Sequence, residues 1–169
     1  AGIRAIGYGL AILRRRAGAN RVRVEDLPAG AQSTRTPALA WLHDNIGADL
    51  DRQLAADDQL EALSDAELLD RRLQAAGGVR LDQVLRWHDG GFRLAEASLT
   101  SERGLHPVAD LDPPSMMLLR NIDGQQTVRA VLDATGQAIG REALDLLAFR
   151  EETLPAIREL VSHGFLELL

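Results

Sequence analysis

The chain has 169 residues, 46% of them hydrophobic and 26% charged, with a net charge of −6; such a chain can bury a sizeable core, which excludes a wholly disordered protein. It contains no cysteine, and all 19 of its basic residues are arginine. That excludes disulfides, thiolate nucleophiles, zinc ribbons and iron–sulfur clusters, and also lysine Schiff bases, a P-loop lysine and a kinase-type lysine. No apolar run approaches the roughly 18 residues of a membrane helix, and the opening residues lack the pattern of a signal peptide, so a cytoplasmic location is the expectation.

The first piece, residues 1–30, is the basic one. It carries Arg4, Arg14, Arg15, Arg16, Arg21 and Arg23 against Glu25 and Asp26. Ile3–Leu13 is largely apolar and punctuated by Gly7 and Gly9, which suits a buried strand better than a helix. Arg14–Asn20 makes a turn, and Arg21–Asp26 alternates through Val22 and Val24 with the period of a half-buried strand. The arginine cluster could face phosphate, but beside Gly18 and Asn20 it reads first as a solvated turn. The two strands predict an antiparallel hairpin. A lone hairpin is marginal in water, so this one is expected to complete a larger sheet. The chain opens at Ala1 inside a strand, without Met or a cap, which reads as a fragment of a longer protein.

The second piece, residues 31–78, is helical. Thr36 caps a helix with Pro37 in its first turn and Leu39, Leu42 and Ile46 on one face. Ala48–Ala56 either continues that helix or forms a short second one around Leu50 and Leu54. Ser64-Asp65-Ala66-Glu67 is a capping box. It predicts a helix over Asp65–Ala76, burying Leu68, Leu69 and Leu73 and stopping at Gly77-Gly78.

The third piece, residues 79–169, opens with strands. Val79–His88 and Phe92–Thr100 flank the hairpin turn Asp89-Gly90-Gly91, and Arg103-Gly104 leads into a further strand over Leu105–Ala109. Asp112-Pro113-Pro114-Ser115 breaks the chain and caps a short helix through Met116, Leu119 and Ile122, which Asp123-Gly124 ends. Thr127 opens a second helix over Val128, Val131 and Leu132, ending near Gly136. A third, from Glu142, carries Leu144, Leu147, Leu154, Ile157, Leu160 and Val161, with Pro155 expected to kink or split it. Gly164 closes it, and Phe165–Leu168 reads as a terminal strand. The fold class expected is α+β, and the order of the third piece is that of a winged-helix-like module. That order serves protein contact as readily as DNA.

The residue types that do chemistry form no constellation. His43, His88, His106 and His163 are never three or four residues apart. Asp57-Asp58, Glu151-Glu152 and Asp110-Leu111-Asp112 lack histidines at metal spacing and read as solvated faces. None of the serines sits in a nucleophile elbow, and Ser64 and Ser115 read as caps. Gly7-Tyr8-Gly9 lacks the third glycine and the following helix of a dinucleotide loop. Trp41 and Trp87 read as core or edge aromatics. No catalytic, cofactor-binding or metal-ligating residue is assigned.

Three stretches together carry a resemblance. Ala5–Arg16 (AIGYGLAILRRR), Arg21–Leu27 (RVRVEDL) and Leu154–Leu166 (LPAIRELVSHGFL) resemble the C-terminal half of actinobacterial class I S-adenosylmethionine-dependent methyltransferases of the small-domain, HemK-like group, which carry a winged-helix-like C-terminal extension. The resemblance implies that Ile3–Leu13 and Arg21–Asp26 are the antiparallel pair ending the methyltransferase sheet. It also implies that a glycine-rich S-adenosylmethionine loop and an N-P-P-Y motif lie upstream. Asp112-Pro113-Pro114-Ser115 has the prolines without Asn or Tyr, so neither catalytic nor cofactor residues carry over. The expected role is to position a substrate or partner for an upstream methyltransferase core. The acceptor would be a nitrogen on protein or nucleic acid, the methyl donor S-adenosylmethionine bound by the parent and not by this piece. The alternative is a non-enzymatic winged-helix adaptor. No membrane is implied. A homodimer through the N-terminal hairpin is a further expectation.

Overall fold

The computed structural model describes residues 46–101, 108–142 and 145–169. The expected N-terminal hairpin, the helix capped by Thr36, and His43, His106 and Trp41 lie outside the described residues. Within them the fold is α+β, with five helices and two small antiparallel sheets. Helix α1 spans Ile46–Ala62 and α2 Asp65–Leu69, followed by strand β1 over Leu73–Ala75. Strands β2 (Val79–His88), β3 (Gly91–Ser101) and β4 (Val108–Asp110) form a meander in that spatial order. Helices α3 (Pro113–Asn121), α4 (Val128–Ala138) and α5 (Asp145–Ser162) follow, and β5 (Leu166–Leu168) returns to pair antiparallel with β1.

The helix starts follow their local chemistry. Ser64 accepts from the Glu67 N–H at 3.3 Å while the Glu67 carboxylate accepts from the Ser64 N–H at 2.8 Å and hydroxyl at 2.6 Å, so the capping box is complete. Asp112, rather than Ser115, caps α3: its carboxylate accepts from the Ser115 N–H at 2.7 Å, with Pro113 and Pro114 in the first turn, where a missing N–H costs nothing. Thr127 caps α4 through the Ala130 N–H at 3.3 Å. We expect Ser64→Ala to cost about 1 kcal/mol in chemical denaturation, the usual loss for an N-cap. The Ser64 hydroxyl, and then its N–H, hold the Glu67 carboxyl below the usual carboxylate range. A depressed folded pKa stabilises fully above the unfolded value near 4.5 and is lost as pH falls through the folded value. Ser64→Ala should therefore also flatten the acid limb of the stability–pH curve, and an unchanged limb would contradict the link.

The predicted helix over Asp65–Ala76 is corrected to one short helix and one strand. The carbonyls of Arg71, Arg72 and Leu73 accept from the N–H groups of Val128 (2.8 Å), Leu169 (3.0 Å) and Gly124 (3.0 Å). Three bonds to distant backbone outweigh local helix propensity, and β1 pairs Leu73 with Leu168 and Ala75 with Leu166. Pro155 does not split α5, which is one helix over its described span. It removes one hydrogen bond on an exposed face, while Leu154, Ile157, Leu160 and Val161 hold the buried face in the core.

One core joins all of these elements. Leu60 of α1, Leu68 of α2 and Leu73 of β1 cluster with Leu99, Leu118, Leu132, Ile157, Phe165 and Leu166. Gly136 lets α5 approach α4: a Cβ there would lie 2.6 Å from a Leu146 methyl and 3.2 Å from the Phe149 ring.

Candidate functional site

Three surfaces are candidates. The first is the α4–α5 pair, where a DNA-binding module would place its recognition helix. The two arginines within α5 are committed elsewhere. Arg150 donates twice to the Asp133 carboxylate, at 2.7 and 2.8 Å, and this hydrogen-bonded carboxylate holds the guanidinium pKa above its ordinary value. Arg158 donates to the carbonyls of Leu60 and Leu63, both at 2.9 Å, and to Asp65 at 2.7 Å. It thus closes the C-terminal carbonyls of α1 and grips the first turn of α2, the two places where a cation and an anion respectively complement helix dipoles. Both side chains are therefore structural ties. Arg158→Ala should cost about 2 kcal/mol, as expected for loss of several charge-assisted bonds at a partly buried site. Arg158→Lys should recover only part of it, because one ammonium cannot span three acceptors. A loss below about 0.5 kcal/mol on denaturant titration would return Arg158 to the class of free surface arginines.

The second surface is a groove of about 340 Å³ between α1, the end of α5, β5 and the base of the meander, lined among others by Asp49, Arg52, Gln53, Ser101, His163 and Glu167. Sequence reasoning missed the reason α1 faces it with polar side chains. Asp49, Gln53 and Asp57 stand four residues apart on one stripe. Asp49 is buried and bound by Arg52 at 2.5 Å, Gln53 donates to the His163 carbonyl at 3.1 Å, and Asp57, also buried, accepts from the Ser162 hydroxyl at 2.5 Å. Asp57 was expected on a solvated face; it is a tie between α1 and α5. His163 places Nδ1 2.8 Å from the Glu159 carbonyl, which makes Nδ1 the protonated nitrogen, and its ring stacks on Phe165. Polar groups in this groove are thus largely matched to each other, the arrangement of a helix interface.

The third surface is the β2–β3 arm. Ten residue pairs run from Val79↔Ser101 to His88↔Gly91, a length of about 30 Å. At its tip Asp89 and Gly90 both have positive φ, 45° and 85°, the two-residue turn that matches strand twist. The register sorts the side chains into two faces. One carries Val79, Leu81, Gln83, Leu85 and Trp87 with Ser101, Leu99, Ala97, Leu94 and Phe92; the other carries Arg80, Asp82, Val84, Arg86 and His88 with Thr100, Ser98, Glu96 and Arg93. A bulge between Val84 and Leu85 leaves Ala95 unpaired and keeps both apolar sets on the same side. The polar face satisfies itself through Arg80–Asp82 (3.0 Å), Thr100–Asp82 (3.2 Å) and Arg86–Glu96 (2.5 Å). Among the described residues, the apolar face is covered only near its base, where Leu99 and Ala97 are buried and Gln83 reaches Met116 of α3. Beyond that point Leu85 is 55%, Trp87 66% and Phe92 69% exposed, with the two rings edge-to-face at 5.3 Å. Trp87 is therefore an outlying arm aromatic, not a core one.

Of the remaining sequence candidates, His88 pairs with Asp89 at 2.8 Å beside the turn. Among the described residues no group of three or more His, Asp or Glu side chains could hold a metal ion, and no helix is long and apolar enough to cross a membrane. No curated protein matches the chain. Residues 51–168 match the model of a family described as a domain of unknown function, DUF7782, and the chain belongs to that family.

Proposed function

We propose that the chain is a non-catalytic positioning part of a cytoplasmic class I methyltransferase, contributing contact surface rather than chemistry. The observation that carries the contact role is the distal arm, where Leu85, Trp87, Phe92 and Leu94 stand on one apolar face with nothing of α3 beneath them. A hairpin whose other side carries its own ion pairs, Arg80–Asp82 and Arg86–Glu96, and whose apolar side outruns its core is built to meet another surface. The methyltransferase part of the reading rests on the resemblance of Ala5–Arg16, Arg21–Leu27 and Leu154–Leu166. In the parent, S-adenosylmethionine would supply the methyl group and an upstream core would bind it. The arm and the helical end would then hold a protein or nucleic-acid acceptor, or the core itself.

Two measurements test this. Calorimetry of the purified chain with S-adenosylmethionine should show no binding tighter than about 10 μM, near −7 kcal/mol; tighter binding would place a cofactor site within these residues. The coding sequence upstream of Ala1 should encode, in frame, a glycine-rich loop and an N-P-P-Y motif. An upstream frame without them leaves the arm as the contact surface of a winged-helix adaptor with no methyltransferase parent.

A further inference from the structure

We propose that the outer edge of β2 is a homodimer seam, along which a second copy of the chain adds its own β2 antiparallel about a twofold axis at Val84. Strand β2 ends the three-stranded sheet, and among the described residues its one strand partner is β3. The other edge is ten residues of backbone with no proline or glycine, a template on which a further strand pairs. The bulge between Val84 and Leu85 puts its extra residue on β3, so β2 itself keeps strict alternation from end to end. Natural sheets usually shorten, cover or blunt an edge of this length.

The side chains select the strand that fits. Val84, 45% exposed, is apolar on a face to which β2 otherwise gives Arg80, Asp82, Arg86 and His88. It stands midway between Asp82 and Arg86. Antiparallel pairing about Val84 sets Val84 against the partner's Val84, Asp82 against the partner's Arg86, and Arg86 against the partner's Asp82. The pattern is its own complement, which is what a twofold contact between identical surfaces requires. Opposite charges directly across an antiparallel pair attract and like charges repel. Neighbouring registers lose this match: an axis at Gln83 sets Arg80 against the partner's Arg86, and one at Leu85 sets Val84 against the partner's Arg86. Asp82 already holds Arg80 and Thr100, and Arg86 holds Glu96, but both side chains keep solvent-exposed surface. The cross-seam pairs therefore extend a charge network instead of breaking one. On the other face Trp87 falls opposite the partner's Leu81, and Leu85 lies diagonal to the partner's Leu85, both within cross-strand reach. The ladder runs in the plane of the sheet, whereas α3 meets Gln83 from beneath it.

A single strand edge with its flanking side chains is a small interface, under about 1,200 Å² in all, which suits a dimer with a dissociation constant on the order of tens of micromolar. Self-complementarity favours a second copy over an unrelated strand, which has no reason to carry Asp, Val and Arg at these three alternate positions. Nucleic acid fits the edge poorly, because Asp82 and Glu96 stand among its arginines. The inference goes beyond the methyltransferase reading and does not depend on it.

Charge reversal supplies the test. Sedimentation velocity of the 169-residue chain from about 5 μM to about 1 mM, a range that brackets so small an interface, should show monomer giving way to dimer. Asp82→Arg sets two arginine pairs across the seam, and Arg86→Asp two carboxylate pairs. Each should weaken the dimer about tenfold or more. An equimolar mixture of the two variants should dimerise as tightly as the unaltered chain, because both cross-seam pairs are again opposite in charge. The double variant Asp82→Arg/Arg86→Asp should do the same alone. Val84→Asp faces two carboxylates on the axis and should abolish the dimer. These positions are exposed or half-exposed, so circular dichroism should not change. A monomer throughout the concentration range overturns the proposal. So does a dimer indifferent to the reversals, which would lie on another surface, or a mixture that associates no better than either single variant while the double variant stays monomeric. S-adenosylmethionine binding and the upstream sequence can come out either way without moving these readouts.

Discussion

Phe165→Ala should destabilise the protein by about 4 kcal/mol, the upper range for a buried aromatic truncated in a core that cannot collapse around the gap. Phe165 has no exposed surface. The helix end fixes its position. Gly164, at φ 76°, turns the chain out of α5, and the Phe165 N–H returns to the Leu160 carbonyl at 2.9 Å. Its own carbonyl accepts from the Ala76 N–H at 3.0 Å, tying the end of α5 to β1. The ring is thus clamped on both sides by backbone, and its neighbours cannot move in to fill the void. Urea titration should show a lower midpoint at unchanged slope. Leu169→Ala, at a half-exposed position, should shift the midpoint little. Equal shifts for the two variants would contradict the clamped-core account.

What could be read from the sequence was set by range. The capping box at Ser64, the Asp89-Gly90 turn and the Thr127 cap are all decided by residues within a few positions of each other, and each stands in the structure where its local chemistry puts it. Residues 71–75 were not legible. Their extended conformation is dictated by the N–H groups of Gly124, Val128 and Leu169, some 50 to 97 residues away, while Leu68, Leu69 and Leu73 keep helical spacing. The contact surface was half legible. Alternation in Val79–His88 and Phe92–Thr100 gives an apolar face, but not how far the layer beneath it extends. That depends on where α3 stops, with Met116 under Gln83, so Trp87 read as core or edge. On α1 the signal was present, and only Asp57 of it was read, as part of a solvated face. Asp49, Gln53 and Asp57 form a polar stripe, and stripes of acids are usually solvated. Here the opposing surface offers the Ser162 hydroxyl and the His163 carbonyl instead of leucines.

The largest effect is expected at Leu166. It is 2% exposed, on the core side of a two-stranded sheet only three residues long, paired with Ala75. So short a pair has little stability of its own; it holds because Leu166 and Leu73 are sealed into the cluster with Phe165 and Ile157. Leu166→Asp removes that seal and sets a carboxylate in an apolar pocket. The loss should reach about 5 kcal/mol or more, a large part of the whole stability of a domain this size. Leu168→Asp, on the same strand but half-buried, should cost far less. The pH dependence separates a buried charge from a mere cavity. An aspartate at 166 would have its folded pKa raised by burial, so between the unfolded value near 3.9 and the raised one the native state holds more protons than the unfolded state. Stability of the variant must then fall as pH rises through that window and recover on acidification. Leu166→Ala, with its cavity and no charge, should show no such recovery. If denaturation midpoints of the Asp and Ala variants run parallel from pH 7 to about pH 4, where a buried carboxyl regains its proton, the side chain at 166 is reaching water and β5 is not sealed against the core.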